Sequence, residues 1–162
     1  MADSFLAALS SRRSHYQLYD ESPVSAARIE QIIQRVLLAT PSAFSTQSTR
    51  VVVLYGDNHR QLWDITQATV ARLVSPDAKR AATTNVKLAA FRAAHATVLF
   101  LEDPVPYESL GGFDMYADQL ESWRDQTCGM HQLLIWMALS LEGLGGSLQH
   151  YNPLIGDEVY KA

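Results

Sequence analysis

The chain has 162 residues, with 13 Lys and Arg against 17 Asp and Glu, a formal net charge of -4, 48% hydrophobic and 19% charged side chains. That composition suits one globular domain over residues 1–162, and its scattered basic residues exclude the electrostatic footprint of a nucleic-acid binder. Cys128 is the only cysteine, which excludes a disulfide framework, and no apolar run reaches the ~18 residues of a membrane span, so the expectation is a soluble, cytoplasmic protein.

The N-terminal "MADSFLAALSSRR" has an apolar run too short, and too quickly followed by arginines, to be a signal peptide. Phe5, Leu6 and Leu9 share a helical face, which predicts a short helix ending near Arg13. A second helix is predicted through Ile29, Ile32, Ile33, Val36 and Leu37, stopping before Pro41. Its N-cap is Ser25, or Ser22 with Pro23 at the first helical position. "VVVLY" (51–55) reads as a buried strand, followed by a turn at Gly56-Asp57-Asn58. Helical spacing returns from His59 to about Val74 and breaks at Ser75-Pro76. "AATTNVKLAAFRAAHA" (81–96) is predicted helical in its second half, and "TVLFLE" (97–102) is a second buried strand.

"DPVPYESLGG" (103–112) reads as a loop, and part of "FDMYADQLESW" (113–123) as a helix. A further helix from Met130 to Leu141 is apolar nearly all round, which places it at the centre of a fold or in a subunit interface. Gly143 is its natural C-terminal stop, and "GGSLQHY" (145–151) reads as a short extended segment or third strand. Strands separated by helices define an α/β or α+β domain with one mixed sheet.

Most chemistries find no constellation. The glycines at 143, 145 and 146 follow a helix and precede an extended segment, the reverse of a dinucleotide fingerprint or P-loop. His15, His59, His95, His131 and His150 lie far apart and lack metal-ligand spacing, so a metal site is not expected. Ser147 lacks a nucleophile elbow. Cys128 fits an inert small hydrophobe on a helix as well as it fits a nucleophile. Glu102-Asp103 ends a strand without an evident second carboxylate to meet.

Three polar clusters remain at element boundaries. "SSRRS" (10–14) is either a solvated helix end or a grip for one phosphate through charge-assisted bonds. "PSAFSTQS" (41–48) is either a capping loop or a contact surface, in which the Gln47 amide can read the donor–acceptor edge of a flat heterocycle. "SLQHYNP" (147–153) is the third.

Together "RRS", "ATPSAFSTQSTRVVVL" and "GMHQ…GLG…SLQHYNPLI", in this order and spacing from about Ser11 to Asp157, resemble the nitroreductase superfamily, and more closely its compact fungal and bacterial branch. The resemblance implies an α+β nitroreductase-like fold, a mixed central sheet flanked by helices in an intertwined homodimer. It implies FMN at the subunit interface, and a two-step reaction in which NADH or NADPH reduces the flavin and a nitroaromatic or quinone is then reduced. On that basis Arg12, Arg13 and Ser14 match the motif for the FMN phosphate and ribityl chain. Pro41, Ser42, Ser45, Gln47 and Ser48 match a loop laid along the partner subunit's flavin, with Ser45 standing where many relatives have Asn. Gln149, His150 and Tyr151 match the segment beside the flavin ring, and Lys87 stands where some relatives place a polar flavin contact. No side chain is required as catalytic acid or base, because the cofactor carries the redox chemistry. Relatives continue some tens of residues beyond "NPLI" with a strand and a basic group near the phosphate, so the resemblance implies a domain lacking that tail. The alternatives are a non-catalytic nitroreductase-like protein that binds flavin or lipid in regulation, and a bare interaction module made dimeric by the apolar helix.

Overall fold

In a computed structural model, residues 2–74, 78–110 and 114–162 are described. Among them the α-helices are α1 (Ala2–Ser11), α2 (Ala26–Ala39), α3 (Gly56–Val74), α4 (Ala78–Arg92), α5 (Val105–Glu108), α6 (Ala117–Leu141) and α7 (Asn152–Lys161). The strands are β1 (Thr49–Tyr55) and β2 (Ala96–Glu102), and short 3-10 turns cover Ala43–Ser45 and Asp114–Tyr116. The strands form a two-stranded sheet. It is antiparallel: Asp103 N–H, just after β2, bonds Ser48 O, just before β1, at 3.0 Å. The class is α+β, as expected, but the described strands form a small antiparallel sheet, not the mixed central sheet expected.

Several expectations shift. The third strand at 145–151 reduces to one isolated parallel bridge, Ser14 with Gly146. Gly56-Asp57-Asn58 is not a turn but the first turn of α3. Asp57 suits that position because an acidic residue complements the helix dipole. The first half of "AATTNVKLAAFRAAHA" is helical, since α4 begins at Ala78. The loop at 103–112 contains α5, with Pro104 as its N-cap residue and Pro106 in its first turn. The two helices expected around Trp123 and from Met130 are one 25-residue helix, and α7 follows the "HYNP" motif. The break expected at Ser75-Pro76, and Phe113, lie outside the described residues.

Two caps confirm local sequence rules. Ser25, not Ser22, caps α2: its Oγ accepts from Arg28 N–H at 3.3 Å. Gly143 (φ +88) lets α6 end in a Schellman arrangement, with Gly143 N–H on Ser140 O and Leu144 N–H on Leu139 O, each at 3.1 Å.

The chain divides into two compact units. The first comprises residues 1–12, 23–53 and 98–144, the second 13–22, 54–97 and 145–162. In the first, α2 buries Ile29, Ile32 and Ile33 and packs on α6. Helix α6 buries Thr127, His131, Ile135 and Met137, while Met130, Leu133 and Leu141 remain exposed. Helix α1 buries nothing and exposes Phe5, Leu6 and Leu9.

In the second unit α3 packs on α4 and α7. Trp63, Val70, Leu88 and Phe91 form its core, with Leu18 and Tyr151 packed against it. A determinate hydrogen-bond chain runs beside that core. His59 Nε2 lies 3.1 Å from Arg92 O, a pure acceptor, so Nε2 carries the proton. His59 Nδ1 then accepts from Thr97 Oγ1 at 2.8 Å, and Thr97 Oγ1 accepts from Trp63 Nε1–H at 2.9 Å. Burial pushes the His59 imidazole below its ordinary value of 6.5, so folding selects the neutral ring. The unfolded chain binds the extra proton more readily, and stability therefore rises with pH in this window. We expect stability to be level above pH 6.5 and to decline as pH falls below it. Denaturant titrations at pH 7.5 and 5.5 check this, with the decline flattened in His59→Gln. An equal decline in that variant would assign the effect elsewhere.

Candidate functional site

The first unit contains the loop between α2 and β1. Thr40 closes α2, its N–H and Oγ1 both bonded to Val36 O at 3.0 and 2.7 Å, and Pro41 prevents continuation. The chain then enters the left-handed region at three non-glycine residues: Phe44 (φ +51), Ser45 (φ +54) and Gln47 (φ +47). Each such residue costs on the order of 1–3 kcal/mol unless the surroundings hold it, and strain of this kind collects at ligand-gripping sites.

Here the surroundings hold it at both ends. Ser45 N–H bonds Ser42 O at 3.0 Å, Thr46 N–H bonds Ala43 O at 3.1 Å, and Gln47 N–H bonds Ser42 Oγ at 2.9 Å. The Phe44 ring leans on Trp123 and Tyr116, centroids 5.6 and 6.3 Å away. Pro41, Ser45 and Gln47 are exposed. Thr46 Oγ1 is buried and has no hydrogen-bond partner among the described residues.

Ser48 behaves differently from the residues before it. It has no exposed surface, and its hydroxyl donates to Glu102 Oε2 at 2.6 Å. Its side chain anchors the loop from behind and is not presented to a ligand. Thr49 Oγ1 donates to Glu102 Oε1 at 2.5 Å. His131 Nδ1 sits 2.9 Å from Thr127 O and 3.1 Å from Thr49 Oγ1. The carbonyl can only accept, so Nδ1 is the protonated nitrogen and its N–H is shared between the two oxygens. Glu102, which had no evident role in the sequence, is the hub of this cluster. Nearby, burial pushes the Cys128 thiol up, the opposite of what a thiolate nucleophile requires, which favours the small-hydrophobe reading.

Beside the loop lies an open cavity of about 380 Å³ lined by Ala43, Phe44, Trp123, Gln126, Thr127 and Met130. Its walls are an indole, a phenyl ring and a thioether, with few polar groups. That lining suits a flat aromatic guest. Arg12, also in this unit, stacks its guanidinium 4.0 Å over the Trp136 ring. A cation–π contact leaves the in-plane N–H groups directed elsewhere, so the predicted phosphate donor is oriented by a helix α6 ring.

In the second unit the segment starting at Arg13-Ser14 and the segment "GGSLQ" are brought together. Ser14 and Gly146 form the parallel bridge, and His15 N–H bonds Gly146 O at 3.0 Å. Gly145 eases this approach, because a Cβ there would stand 3.2 Å from the His15 ring, which would have to shift. Gln149 Nε2 bonds Ser147 Oγ at 2.7 Å. Arg13, Ser14 and His150 are exposed. Tyr151 faces inward: its ring meets Trp63 edge-on at 6.0 Å, and burial raises its phenol. Its side chain packs against the core and its carbonyl accepts from Leu154 and Ile155 N–H at 2.9 and 3.2 Å, so only its backbone N–H is left for a ligand. Lys87 lies exposed on α4, in a different element from either segment.

The fold class and the strained, aromatic-flanked loop define a helix-rich α+β domain with a polar contact loop. A family model described as the nitroreductase family matches residues 9–160. The chain therefore belongs to the nitroreductase family, a class of oxidoreductases. The nitroreductase FRM2 of Saccharomyces cerevisiae is 32% identical over 155 residues, covering 94% of this chain and 76% of that protein. The Lactococcus lactis nitroreductase CinD, solved with nicotinic acid, superposes with a TM-score of 0.83 at 34% identity, covering 97% of this chain and 79% of CinD. CinD has also been solved with chloramphenicol and with 4-nitrophenol. A nitroreductase structure from S. cerevisiae gives a TM-score of 0.80 at 29% identity, covering 98% of this chain and 86% of that one.

Proposed function

We propose that the protein is an FMN-dependent NAD(P)H oxidoreductase that reduces small nitroaromatics or quinones as a homodimer. The observation that carries this reading is the loop at 42–48. Three left-handed residues are held there at a cost in strain, and Ser45 and Gln47 are turned outward. A plain capping loop has no need of such strain.

The residues fit the cofactor on a further count. Thr46 Oγ1 is a buried hydroxyl that lacks a partner among the described residues, and buried hydroxyls are normally satisfied. Residues that would hold FMN are Arg12, Arg13 and Ser14 toward its phosphate and ribityl groups, with the backbone of Gln149, His150 and Tyr151 toward its ring. Pro41, Ser42, Ser45 and Gln47 would be contributed from the loop, with Ser48 securing that loop and Lys87 as an outlying polar contact. Bound FMN would supply the two-electron chemistry, taking a hydride from NADH or NADPH and passing electrons on to the acceptor. The chain's own part is to bind and orient. The arginines neutralise phosphate charge, and the Gln47 carboxamide offers a donor and an acceptor to a heterocycle edge. The ring-lined open cavity offers apolar faces to an aromatic acceptor. That CinD has been solved in complex with 4-nitrophenol, a one-ring nitroaromatic, supports the acceptor class proposed here.

The deciding experiment is an absorbance spectrum of the purified protein with added FMN, before and after anaerobic NADH and NADPH. The expected result is a bound-flavin spectrum that one or both nicotinamides bleach and 4-nitrophenol or a quinone restores. Flavin that binds but is never bleached would instead identify a non-catalytic flavin-binding protein.

A further inference from the structure

Arg50 lies just past the strained loop, in β1, within the "ATPSAFSTQSTRVVVL" motif but with no role assigned to it by the resemblance. Its side chain is 52% exposed, so its position is not explained by packing. Its guanidinium makes a fork. Nη1 donates to Gln47 O at 2.7 Å, with a longer contact to Thr49 O at 3.3 Å, and Nη2 donates to Asp103 Oδ2 at 2.9 Å. Asp103 is itself held. Its Oδ1 accepts Val105 N–H at 3.1 Å, and its own N–H bonds Ser48 O at 3.0 Å.

The consequence falls on Gln47. Both of its peptide groups are engaged, the N–H with Ser42 Oγ and the C=O with Arg50. Its backbone is therefore fixed in the left-handed region (φ +47) while its side chain stays exposed. Glutamine gains nothing locally from that conformation, unlike glycine or asparagine. Without the guanidinium, the Gln47 carbonyl is released, one of the two bonds that hold its left-handed backbone is lost, and the direction of the side chain relaxes with it.

We propose that Arg50, braced by Asp103, is a positioning residue that sets the direction of the Gln47 carboxamide toward the flavin, an inference that rests on the flavin reading above. Its two bonds diverge from one planar group, which a lysine cannot reproduce.

The test uses the full chain and FMN itself, titrated by quenching of flavin fluorescence, with melting temperatures measured alongside. Arg50→Ala is expected to weaken FMN binding roughly tenfold, the scale of one left-handed residue no longer opposed. Because Arg50 is exposed, the melting temperature should move by only a few degrees. Arg50→Lys is expected to rescue little of the loss. Asp103→Asn, which retains shape and the Val105 contact, should show a smaller loss of the same kind. The distinguishing readout is the double variant. If Arg50 acts through Gln47, then Gln47→Ala/Arg50→Ala binds FMN no worse than Gln47→Ala alone. Multiplied losses, or an Arg50→Ala protein that binds like the unaltered chain, would overturn the inference and leave the flavin reading standing. Failure of the unaltered chain to bind FMN would overturn both.

Discussion

Glu102→Ala is expected to lower the melting temperature by about 8–16 °C. Glu102 is the common acceptor for two buried hydroxyls, Ser48 Oγ at 2.6 Å and Thr49 Oγ1 at 2.5 Å. Removing one partner of a buried hydrogen bond leaves the other to bear its desolvation cost, about 1–3 kcal/mol per group. Two orphaned hydroxyls therefore cost roughly 4 kcal/mol, and a domain of this size loses about 2–4 °C per kcal/mol. Thr49 also accepts part of the His131 N–H, so the disturbance reaches α6. Glu102→Gln should cost about half as much, since one carbonyl oxygen is retained and a hydroxyl can rotate to accept from the amide. The combined Ser48→Ala/Thr49→Val/Glu102→Leu protein should recover much of the loss, because removing every polar partner together is far less costly than removing one. Thermal melts of the three proteins check this order. A shift below 2 °C for Glu102→Ala would mean that water already shares these bonds.

The same cluster explains why part of the site escaped the sequence. Helix α2 with its Ser25 cap, the two strands and the Gly143 stop were legible, because each rests on a local rule: hydrophobic spacing, a capping hydroxyl, a left-handed glycine. Glu102 and Asp103 were not, because their partners stand 53 or 54 residues away along the chain. The only local sign was that two acidic residues closed an apolar strand. The left-handed loop was hidden for a different reason. Phe44, Ser45 and Gln47 are not residues that favour positive φ, so the conformation is imposed by Ser42, Arg50 and the Trp123 ring rather than by local preference. The turn expected at Gly56-Asp57-Asn58 failed because glycine, aspartate and asparagine serve a helix start as well as a turn. The third strand failed because one bridge at Gly146 suffices where Gly145 lets the backbone approach His15. The polar clusters themselves were visible, but their inward and outward members were not separable. Ser48 and Tyr151 face in, while Ser45, Gln47 and His150 face out.

Helix α6 carries the second large prediction. Its stretch from Met130 to Leu141 is apolar nearly all round in sequence, yet only one stripe of it is buried. Met130, Leu133 and Leu141 are 40%, 43% and 69% exposed, and in α1 of the same unit Phe5 and Leu6 are 54% and 52% exposed. Monomeric proteins rarely leave so many large apolar side chains uncovered together, which supports a second copy as the cover in the proposed homodimer. In a two-fold interface one substitution enters twice and faces its own copy or the same neighbours. Leu133→Glu therefore places two carboxylates in an apolar contact, costing several kcal/mol. The expected result is a rise of at least about 100-fold in the dimer dissociation constant, equivalent to ~2.7 kcal/mol. Sedimentation at micromolar concentration should then report a species near 18.0 kDa instead of twice that mass. Leu133 is half exposed in the isolated chain, so the fold itself should survive, and circular dichroism checks that it does. Because the proposed FMN site draws its 42–48 loop from the partner, bound flavin should be lost in step with the dimer. A folded Leu133→Glu monomer that retains FMN would place the whole flavin site within one chain. A Leu133→Glu protein that stays dimeric would move the interface away from this face of α6.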